Sequence, residues 1–339
     1  MPGARVTVVI PTLQGGEKLA RCLEHLRAQT FRDFDVVVVD NSGARVAAAY
    51  EQPPHIRVIH NPENLGFGAA INQAITQARA KDSAEFLLAL NDDAYPAPEW
   101  IAELVAACEA DPAVGMCASQ IRLRDGRIDS AGLDIYGDGT TKQHGNGEPS
   151  DDHNEPREAL LPSGCAALYR GRMLDETGAF DADYFLYGED ADLGLRAQLL
   201  GWRCRYVPSA VVVHDYSSSA GRASALKAYY VERNRLYTVL KVFPAYLWPL
   251  TPCYALWRYL AHFGALVAGR GLAAEYRGRG EKWWQLVLIV GSAHWSALRH
   301  LPDLLEKRRV VRRSARLGTL AFWRLLRRHY VTATRVAWQ

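Results

Sequence analysis

The sequence predicts an α/β protein in which a doubly wound, mainly parallel β-sheet precedes an α-helical C-terminal appendage. Short apolar, β-branched segments alternate with helical patterns through residues 6–90, as is typical of strands buried on both faces of a sheet. The composition becomes basic and aromatic further along the chain. A length of 339 residues suits two domains, and we expect them to span residues 1–222 and 223–339.

Four strands and two helices are predicted in the N-terminal part, in the order strand, helix, strand, strand, helix, strand. Right-handed crossovers between such strands give an open sheet, and its ligands bind where the strands end. The strands are expected at Val6–Ile10, Asp35–Asp40, Ile56–His60 and Phe86–Leu90, and the helices at Glu17–Ala28 and Ala69–Ala80.

Polar residues follow each of these strands. Asp92 and Asp93 are the most informative, because adjacent carboxylates repel each other unless a cation neutralises them. Mg²⁺ and Mn²⁺ prefer such oxygen ligands. Each group alone is an ordinary turn signal, but together they predict a polar site at one sheet edge. They are Pro11 and Thr12, Asp40 and Asn41, Asn64 and Gly66, and Asn91, Asp92 and Asp93.

The middle of the chain is less regular. Residues 137–158 are polar and glycine-rich and predict a mobile surface loop. After them we expect a strand at Ala159–Tyr169, a short helix near Met173, an amphipathic helix that begins near the acids Glu189, Asp190 and Asp192, and short strands at Trp202–Val207 and Ala210–His214.

The charge is divided unevenly along the chain. Residues 1–221 contain 19 Lys and Arg against 32 Asp and Glu, whereas residues 222–339 contain 21 against 5. This asymmetry favours an acidic body and a basic appendage that faces an anionic partner, either nucleic acid or a lipid surface. The acidic body argues against nucleic acid.

Two apolar stretches of the appendage, Cys253–Ala268 and Trp283–Leu298, are too short and too interrupted to predict bilayer spans. They remain candidates for core helices, re-entrant segments or interfacial helices. The tail Lys307–Tyr330 has the pattern of a helix that lies on an anionic membrane. The alternative is that the appendage packs against the N-terminal domain or forms a homodimer interface.

Cysteine usage indicates a reducing compartment. The six cysteines form no CxxC pair, which predicts reduced thiols in a cytoplasmic protein, without a disulfide frame or zinc site. We also expect no signal peptide, because the first predicted strand begins close to the N-terminus. The location that combines these expectations is the inner face of the cell membrane, with peripheral attachment.

Residues 5 to about 215 resemble the family 2 glycosyltransferases, which have the Rossmann-like GT-A fold. Within that family the chain is similar to bacterial rhamnosyltransferases of cell-surface polysaccharide synthesis. The resemblance rests on the order and spacing of several motifs, which are Val8–Thr12, Val38–Ser42, Asn64–Gly68, Asn91–Asp93, Gly188–Asp190 with Asp192–Arg196, and His214.

The resemblance implies an inverting, metal-dependent sugar transfer from a nucleoside diphosphate donor. It implies that Asp93, Asp92 and His214 hold Mg²⁺ or Mn²⁺. Residues 1–95 would bind the nucleotide sugar, and residues 96–222 would contribute the acceptor side and the catalytic base. The donor contacts implied are Pro11, Thr12, Asp40, Asn41, Asn64, Gly66, Asn91, Asp92 and Gly164.

The resemblance further implies that Asp190 is the general base, with Glu189 beside it. The donor implied first is dTDP-L-rhamnose, and UDP-linked galactofuranose, glucose or N-acetylhexosamine remain alternatives. The acceptor implied is a lipid-linked glycan or polysaccharide.

Each proposed role has a structural alternative. His214 could be a buried structural histidine, Asp40 could form an Asx turn, and Asp190 could cap a helix. Three other functions also compete: a nucleotidyltransferase, a nucleic-acid-binding protein that uses the basic tail, and a non-catalytic scaffold. A nucleotidyltransferase would normally carry a basic, glycine-rich loop after its first strand, and here that loop has no basic run.

Overall fold

The computed structural model describes residues 4–51, 56–79, 84–215, 224–271, 275, 278 and 283–338. Its strands are β1 (Val6–Thr12), β2 (Phe34–Asp40), β3 (Ile56–His60), β4 (Phe86–Leu90), β5 (Ala94–Pro96), β6 (Val114–Arg122), β7 (Ile128–Ser130), β8 (Leu133–Ile135), β9 (Thr141–Gln143), β10 (Arg157–Ala159), β11 (Ala166–Arg170) and β12 (Arg203–His214).

The helices alternate with these strands at first and then dominate the C-terminal region. They are α1 (Gly16–Arg27), α2 (Phe67–Arg79), α3 (Trp100–Glu109), α4 (Gly171–Thr177), α5 (Glu189–Leu199), α6 (Ala225–Val242), α7 (Thr251–Val267), α8 (Trp283–Arg299), α9 (Leu301–Ser314), α10 (Thr319–Arg328) and α11 (Ala333–Trp338).

One large mixed sheet has the strand order β10-β12-β6-β11-β4-β1-β2-β3, with β5 beside β12 and β7 beside β6. Within the run β3-β2-β1-β4, each strand is parallel to the next. Beyond them, β11 runs antiparallel to both β4 and β6. The predicted α/β class, with a parallel sheet and a helical C-terminal region, is confirmed.

The core explains why the strands are apolar on both sides. Val8 and Val38 belong to one buried cluster, with residues of α1 and α3, whereas Val9 and Val37 belong to a second cluster with residues of α2 and α5. Because side chains alternate along a strand, a sheet covered on both faces needs apolar residues at every position. This arrangement leaves the carboxyl ends of the strands as the place for polar groups.

The chain divides into two compact units. Unit 1 comprises residues 1–133 and 143–217, and unit 2 comprises residues 134–142 and 218–339. The segment 134–142 is the tip of the β8–β9 hairpin and lies within the span predicted as a mobile surface loop. That prediction is wrong for this tip, because Asp138 and Thr140 are buried.

A buried ion-pair network holds the hairpin tip to the helices of unit 2. Arg258 of α7 donates from Nε to Asp138 over 2.7 Å and from Nη2 to Glu232 of α6 over 2.8 Å. Arg235 and the hydroxyl of Tyr259 also bond to Glu232. Two carboxylates therefore face two guanidinium groups, which compensates for their removal from water.

The charges in this network displace the pKa of its acids. Burial by itself raises the pKa of Glu232, but Arg258 and Arg235 outweigh burial and lower this pKa to about 2. The pKa of Asp138 is lowered by the same two arginines against the effect of burial. Both acids are therefore ionised at neutral pH.

Among the described residues, no helix is long and apolar enough to cross a membrane. The tail segment that is predicted to lie on a membrane contains α10, and one apolar residue of this helix is covered within the protein. Phe322, on its apolar side, is buried and packs edge-on against Phe243, with the ring centroids 6.1 Å apart. Its apolar side is therefore partly used within unit 2, while Arg324 and Arg328 are exposed.

The network makes a prediction about stability. Arg258→Met leaves Asp138 and Glu232 with one guanidinium, so the free energy of unfolding should fall by ~3–5 kcal/mol. Urea unfolding followed by tryptophan fluorescence measures this. Arg309→Met, at an exposed position of α9, is the control and should change stability by no more than ~0.5 kcal/mol. Equal effects of the two changes would contradict the role of the network.

Glu232 also determines whether the free energy of unfolding rises or falls with pH in the acid range. Its pKa is lowered in the folded state, so its contribution to stability is present above the ordinary value of 4.5 and is lost as the pH falls towards 2. In Arg258→Met the folded-state pKa of Glu232 should lie closer to 4.5, so this acid-sensitive loss should be smaller and complete at a higher pH, which urea unfolding at a series of pH values measures.

Candidate active site

Asp92 and Asp93 directly follow β4, at the carboxyl edge of the parallel strands. The Thr12 hydroxyl, at the end of β1, donates to Asp92 Oδ2 over 2.5 Å and accepts from the Gly15 N–H over 3.0 Å. Burial raises the pKa of Asp92, the Thr12 bond opposes this rise, and the charge of Asp93 adds to it. Two neighbouring strand ends therefore fix one carboxylate of the pair.

His214, at the end of β12, lies between two buried carboxylates. Its Nε2 is 3.2 Å from Asp93 Oδ1, and its Nδ1 is 2.8 Å from Asp129 Oδ2 in β7. Burial by itself lowers the pKa of His214, but the Cys165 thiol and the bonds to Asp129 and Asp93 outweigh burial and raise this pKa. Asp129 was not predicted as a site residue, because it lies in a short strand outside the motifs of the sequence analysis.

The side chains around Asp93 supply only part of the ligand set that a divalent cation requires. In the described part of the chain, no group of three or more His, Cys, Asp or Glu side chains could hold a metal ion by itself. Mg²⁺ at nucleotide sites typically uses one or two carboxylates and completes its shell with phosphate oxygens and waters. Asp93 and His214 fit such an incomplete set, because one carboxylate oxygen and one imidazole nitrogen already face each other.

Asp40, at the end of β2, uses both of its carboxylate oxygens within the protein. Oδ1 accepts from the Ser42 N–H over 3.0 Å and from the Ser42 hydroxyl over 2.5 Å. Oδ2 accepts from the Ala47 N–H over 2.8 Å and lies 3.1 Å from His60 Nδ1. Burial raises the pKa of Asp40, but these hydrogen bonds together lower it. The Asx turn is thus present, and any further donor has to replace one of these partners.

Asn41 and Asn64 organise the loop after β3. Asn41 Nδ2 donates to the Gly66 carbonyl over 3.1 Å, and its Oδ1 accepts from Asn61 over 2.7 Å. Asn64 Oδ1 accepts from the Gly66 N–H over 2.9 Å. Asn61 and Gln73 of α2 in turn form two hydrogen bonds between their side-chain amides, one in each direction. These side chains shape the loop through contacts within the protein.

Gly66 meets the segment that leads into α5. It has a φ of +85°, and an added Cβ would lie 2.3 Å from the Phe185 carbonyl oxygen. The Phe67 N–H donates to that same oxygen over 2.8 Å. Phe185 itself has φ 62° and ψ −65°, and the Leu186 N–H bonds to the Tyr184 carbonyl over 2.7 Å, as in a strained γ-turn. The lack of a side chain at Gly66 therefore allows the loop after β3 to pack closely against this turn.

Asp190, in the first turn of α5, is held by the chain before β11. Its Oδ2 accepts from the Gly164 N–H over 3.0 Å. Burial raises the pKa of Asp190, and this bond opposes the rise. A Cβ at Gly164 would lie 3.3 Å from the Phe67 ring and 3.5 Å from Asp190, so a glycine leaves room here.

Glu189 differs from Asp190 in its environment. It is buried, and among the described atoms its Oε2 has no hydrogen-bond partner. Burial, reinforced by the charge of Asp190, raises the pKa of Glu189 well above its ordinary value. The hydroxyl of Tyr169, in β11, is also buried and lacks a partner among these atoms, and burial raises its pKa.

Asp192 and Arg196 anchor α5. Arg196 Nε donates to Asp192 over 2.9 Å, and its other nitrogens donate to the carbonyls of Thr177 and Ala179. Tyr184 donates to Asp192 over 3.3 Å. Arg196 therefore positions the helix that carries Asp190 by tying it to the preceding loop.

One short segment connects the two groups of acids. Gly164 bonds to Asp190, and the next residue, Cys165, accepts a bond from the Asn91 N–H over 2.9 Å. Asn91 directly precedes Asp92. The structure thus links the strand-end acids and the acid of α5 through two adjacent residues that precede β11. Pro11 lies within β1, in register with Val39.

Comparison with known protein families identifies relatives of the chain. The family model described as Glycosyl transferase family 2 matches residues 7–178. The "N-acetylglucosaminyl-diphospho-decaprenol L-rhamnosyltransferase" of Mycobacterium tuberculosis is 31% identical over 247 residues, which cover 66% of this chain and 80% of the relative.

Solved structures with the same fold include two glycosyltransferases. "GalNAc-T7 with UDP, GalNAc and Mn2+" superposes with a TM-score of 0.59 at 16% identity, over 86% of this chain and 57% of that chain. "Mannosyltransferase PcManGT from Pyrobaculum calidifontis in complex with GDP-Man and Mn2+" superposes with a TM-score of 0.53 at 18% identity, over 94% and 87%. At these identities the likeness concerns the fold.

The contact between Gly66 and Phe185 predicts that an alanine at position 66 destabilises the protein, and Gly126 provides the matched control. Gly66→Ala adds a left-handed alanine, which costs ~1–2 kcal/mol, and a clash with a backbone oxygen, which costs a further ~1–3 kcal/mol. Gly126 has nearly the same φ, +84°, but no described atom within 4 Å of an added Cβ. Gly126→Ala should therefore be the milder change in urea unfolding, and equal losses would show that the Phe185 contact does not restrict position 66.

Proposed function

The chain belongs to glycosyl transferase family 2, and on this premise we propose that it transfers a sugar, with inversion, from a nucleoside diphosphate donor to an acceptor hydroxyl. The observation that carries the proposal is that Asn91, which precedes Asp92 and Asp93, and the acid Asp190 bond to the adjacent residues Cys165 and Gly164. The donor we favour is dTDP-L-rhamnose, because a rhamnosyltransferase is among the relatives. UDP-linked sugars are the alternative.

On the donor side, Asp93 and His214 would bind Mg²⁺ or Mn²⁺ together with the diphosphate. The cation, when bound, supplies positive charge that stabilises the departing diphosphate. Asp92, which Thr12 holds in place, would bind the ribose or a water of the cation. The Mn²⁺ present in both structural neighbours supports a divalent ion in this fold.

The nucleobase is expected at Asp40. A uracil or thymine N3–H would donate to this carboxylate in place of the Ser42 hydroxyl or His60, since all four bonds shown for Asp40 come from within the protein. Asn41 and Asn64 shape the loop that faces the donor, together with Gly66. Pro11 and Asn91, which lie at strand ends of the same edge, and Gly164 complete the proposed donor contacts.

On the acceptor side, Asp190 is proposed as the general base. The attacking hydroxyl must lose its proton as the new bond forms, and a carboxylate within about 3 Å can accept it. The Gly164 N–H holds Asp190 Oδ2 in place, and the raised pKa of Asp190 makes it a stronger base than an ordinary aspartate. Burial, reinforced by the charge of Asp190, raises the pKa of Glu189, which disfavours a second negative charge beside an ionised Asp190.

The acceptor is proposed to be a lipid-linked glycan. The rhamnosyltransferase relative is named for a decaprenol-linked substrate, and unit 2 is rich in Lys and Arg. We propose that unit 2 attaches peripherally to the anionic inner face of the cell membrane, where such an acceptor is presented. Each basic residue near that surface contributes on the order of 1 kcal/mol. A homodimer through the same unit is the alternative.

The metal proposal predicts the effect of Asp93→Asn. Transfer should fall by ~10²–10³, because one stabiliser of the departing charge is lost. Calorimetry of Mn²⁺ with nucleoside diphosphate should show weakened binding in the same variant. Asp125→Asn, at an exposed position, is the control and should match the unchanged protein. Full transfer in excess EDTA would contradict the proposal.

The base proposal separates binding from chemistry. Asp190→Asn should abolish transfer but retain affinity for the nucleotide sugar in calorimetry, and Glu189→Gln should be the milder change. Burial raises the pKa of Asp190 above 3.8. As the pH is lowered, kcat/KM should therefore begin to fall at a higher pH than it would with an ordinary aspartate as the base. Loss of donor affinity in Asp190→Asn would instead make Asp190 a donor ligand or a structural residue.

A further inference from the structure

Helix α7 presents an apolar face to solvent. Leu256, Leu260, Phe263 and Val267 recur at spacings of three and four residues, which places them along one side of the helix. They are exposed by 52% or more, and Trp257 beside them is 62% exposed. A helix on the surface of a protein in water normally turns this side towards the core.

The opposite side of α7 carries its polar groups into unit 2. Arg258 is 6% exposed and bonds to Asp138 and Glu232. Burial, reinforced by the charge of Arg258, lowers the pKa of His262 to about 4, so this ring is neutral at physiological pH. The arginine that interrupts the apolar sequence of α7 therefore does not interrupt its outer face.

Helix α8 also exposes large apolar side chains and buries small ones. Val287, Leu288 and Leu298 are exposed, whereas Ala293 and Ala297 are buried. Among the described residues, every large hydrophobic side chain that is exposed lies at or beyond Leu226. Such a concentration of apolar surface marks a site of interaction.

Charge identifies the occupant as a lipid surface. Residues 222–339 contain 21 Lys and Arg against 5 acids, and one of these acids, Glu232, is buried and paired with arginine. The sequence of α7 contains no acid. A second copy would bring two strongly cationic units together, whereas an anionic bilayer offers both opposite charge and an apolar interior.

We propose that α7 lies in the plane of an anionic bilayer and inserts Trp257, Leu260 and Phe263 between the headgroups and the acyl chains. This inference rests on the proposed attachment of unit 2 to the membrane and adds the element that enters it. Attachment through the arginines alone would leave the apolar side of α7 in water. Insertion predicts binding that high salt weakens but does not abolish.

The natural Cys253, near the start of α7, allows a direct test. It is exposed, four of the other five cysteines are buried, and Cys165 is partly buried. An environment-sensitive maleimide dye on Cys253 should shift to the blue with vesicles of anionic and zwitterionic lipid, and spin-labelled lipid should quench it. Cys253→Ser, treated identically, gives the background.

Matched variants separate insertion from attachment by charge. Leu260→Ser should weaken partition onto these vesicles by ~10-fold, as expected for the loss of one buried leucine. Leu226→Ser, at a similarly exposed leucine of α6, should leave partition unchanged. Replacing Arg312, Arg313, Arg324, Arg327 and Arg328 together should weaken partition at low salt.

Three outcomes would overturn the inference. If the protein sediments with vesicles but the dye stays in water, α7 does not insert, although charge attachment stands. If the protein stays in the supernatant at low salt, the attachment fails as well. If the dye is protected at high protein concentration without vesicles, a second copy covers α7. Transfer to a water-soluble acceptor, measured in parallel, tests the transferase proposal independently of all three.

Discussion

Buried charge is the constraint on which both units depend, because a carboxylate removed from water needs a cation or hydrogen bonds to remain ionised. In unit 1, His214 is placed between Asp93 and Asp129 and compensates for two acids at once. In unit 2, Arg258 does the same for Asp138 and Glu232. The two networks differ in whether they leave a side chain that can bind a further ligand. The arginine network is complete, whereas the proposed metal site requires His214 to release its Nε2 proton, so that this nitrogen binds the cation in place of its contact with Asp93.

The two networks have different consequences for the surfaces around them. At the carboxyl edge of the sheet, the parallel pairing of β1 to β4 places polar residues of four strand ends at one edge, where our proposal places the donor. In α7, compensation of Arg258 inside unit 2 uses the polar side of the helix and leaves Leu260 and Phe263 outside. The cost of exposing that apolar face is offset in our proposal by the bilayer.

Much of this arrangement could be predicted from local sequence. The strands Ile56–His60 and Phe86–Leu90 have the predicted bounds, because their apolar runs end at polar turns. The pairing of Asp129 with His214 could not be predicted, since 85 residues separate them and no motif contains Asp129. The hairpin tip at Asp138 resembled a mobile loop because its partner Arg258 is 120 residues away. Local patterns predict elements, whereas compensation of charge is decided by contacts between distant segments.

The most direct test of the central claim is a crystal structure with Mn²⁺ and a nucleoside diphosphate, in which anomalous scattering locates the ion. Our account predicts one anomalous peak in contact with both Asp93 and His214, with phosphate oxygens completing the shell and the Asp129 bond to His214 retained. A peak away from these two side chains, with the direct Asp93–His214 contact intact, would contradict it.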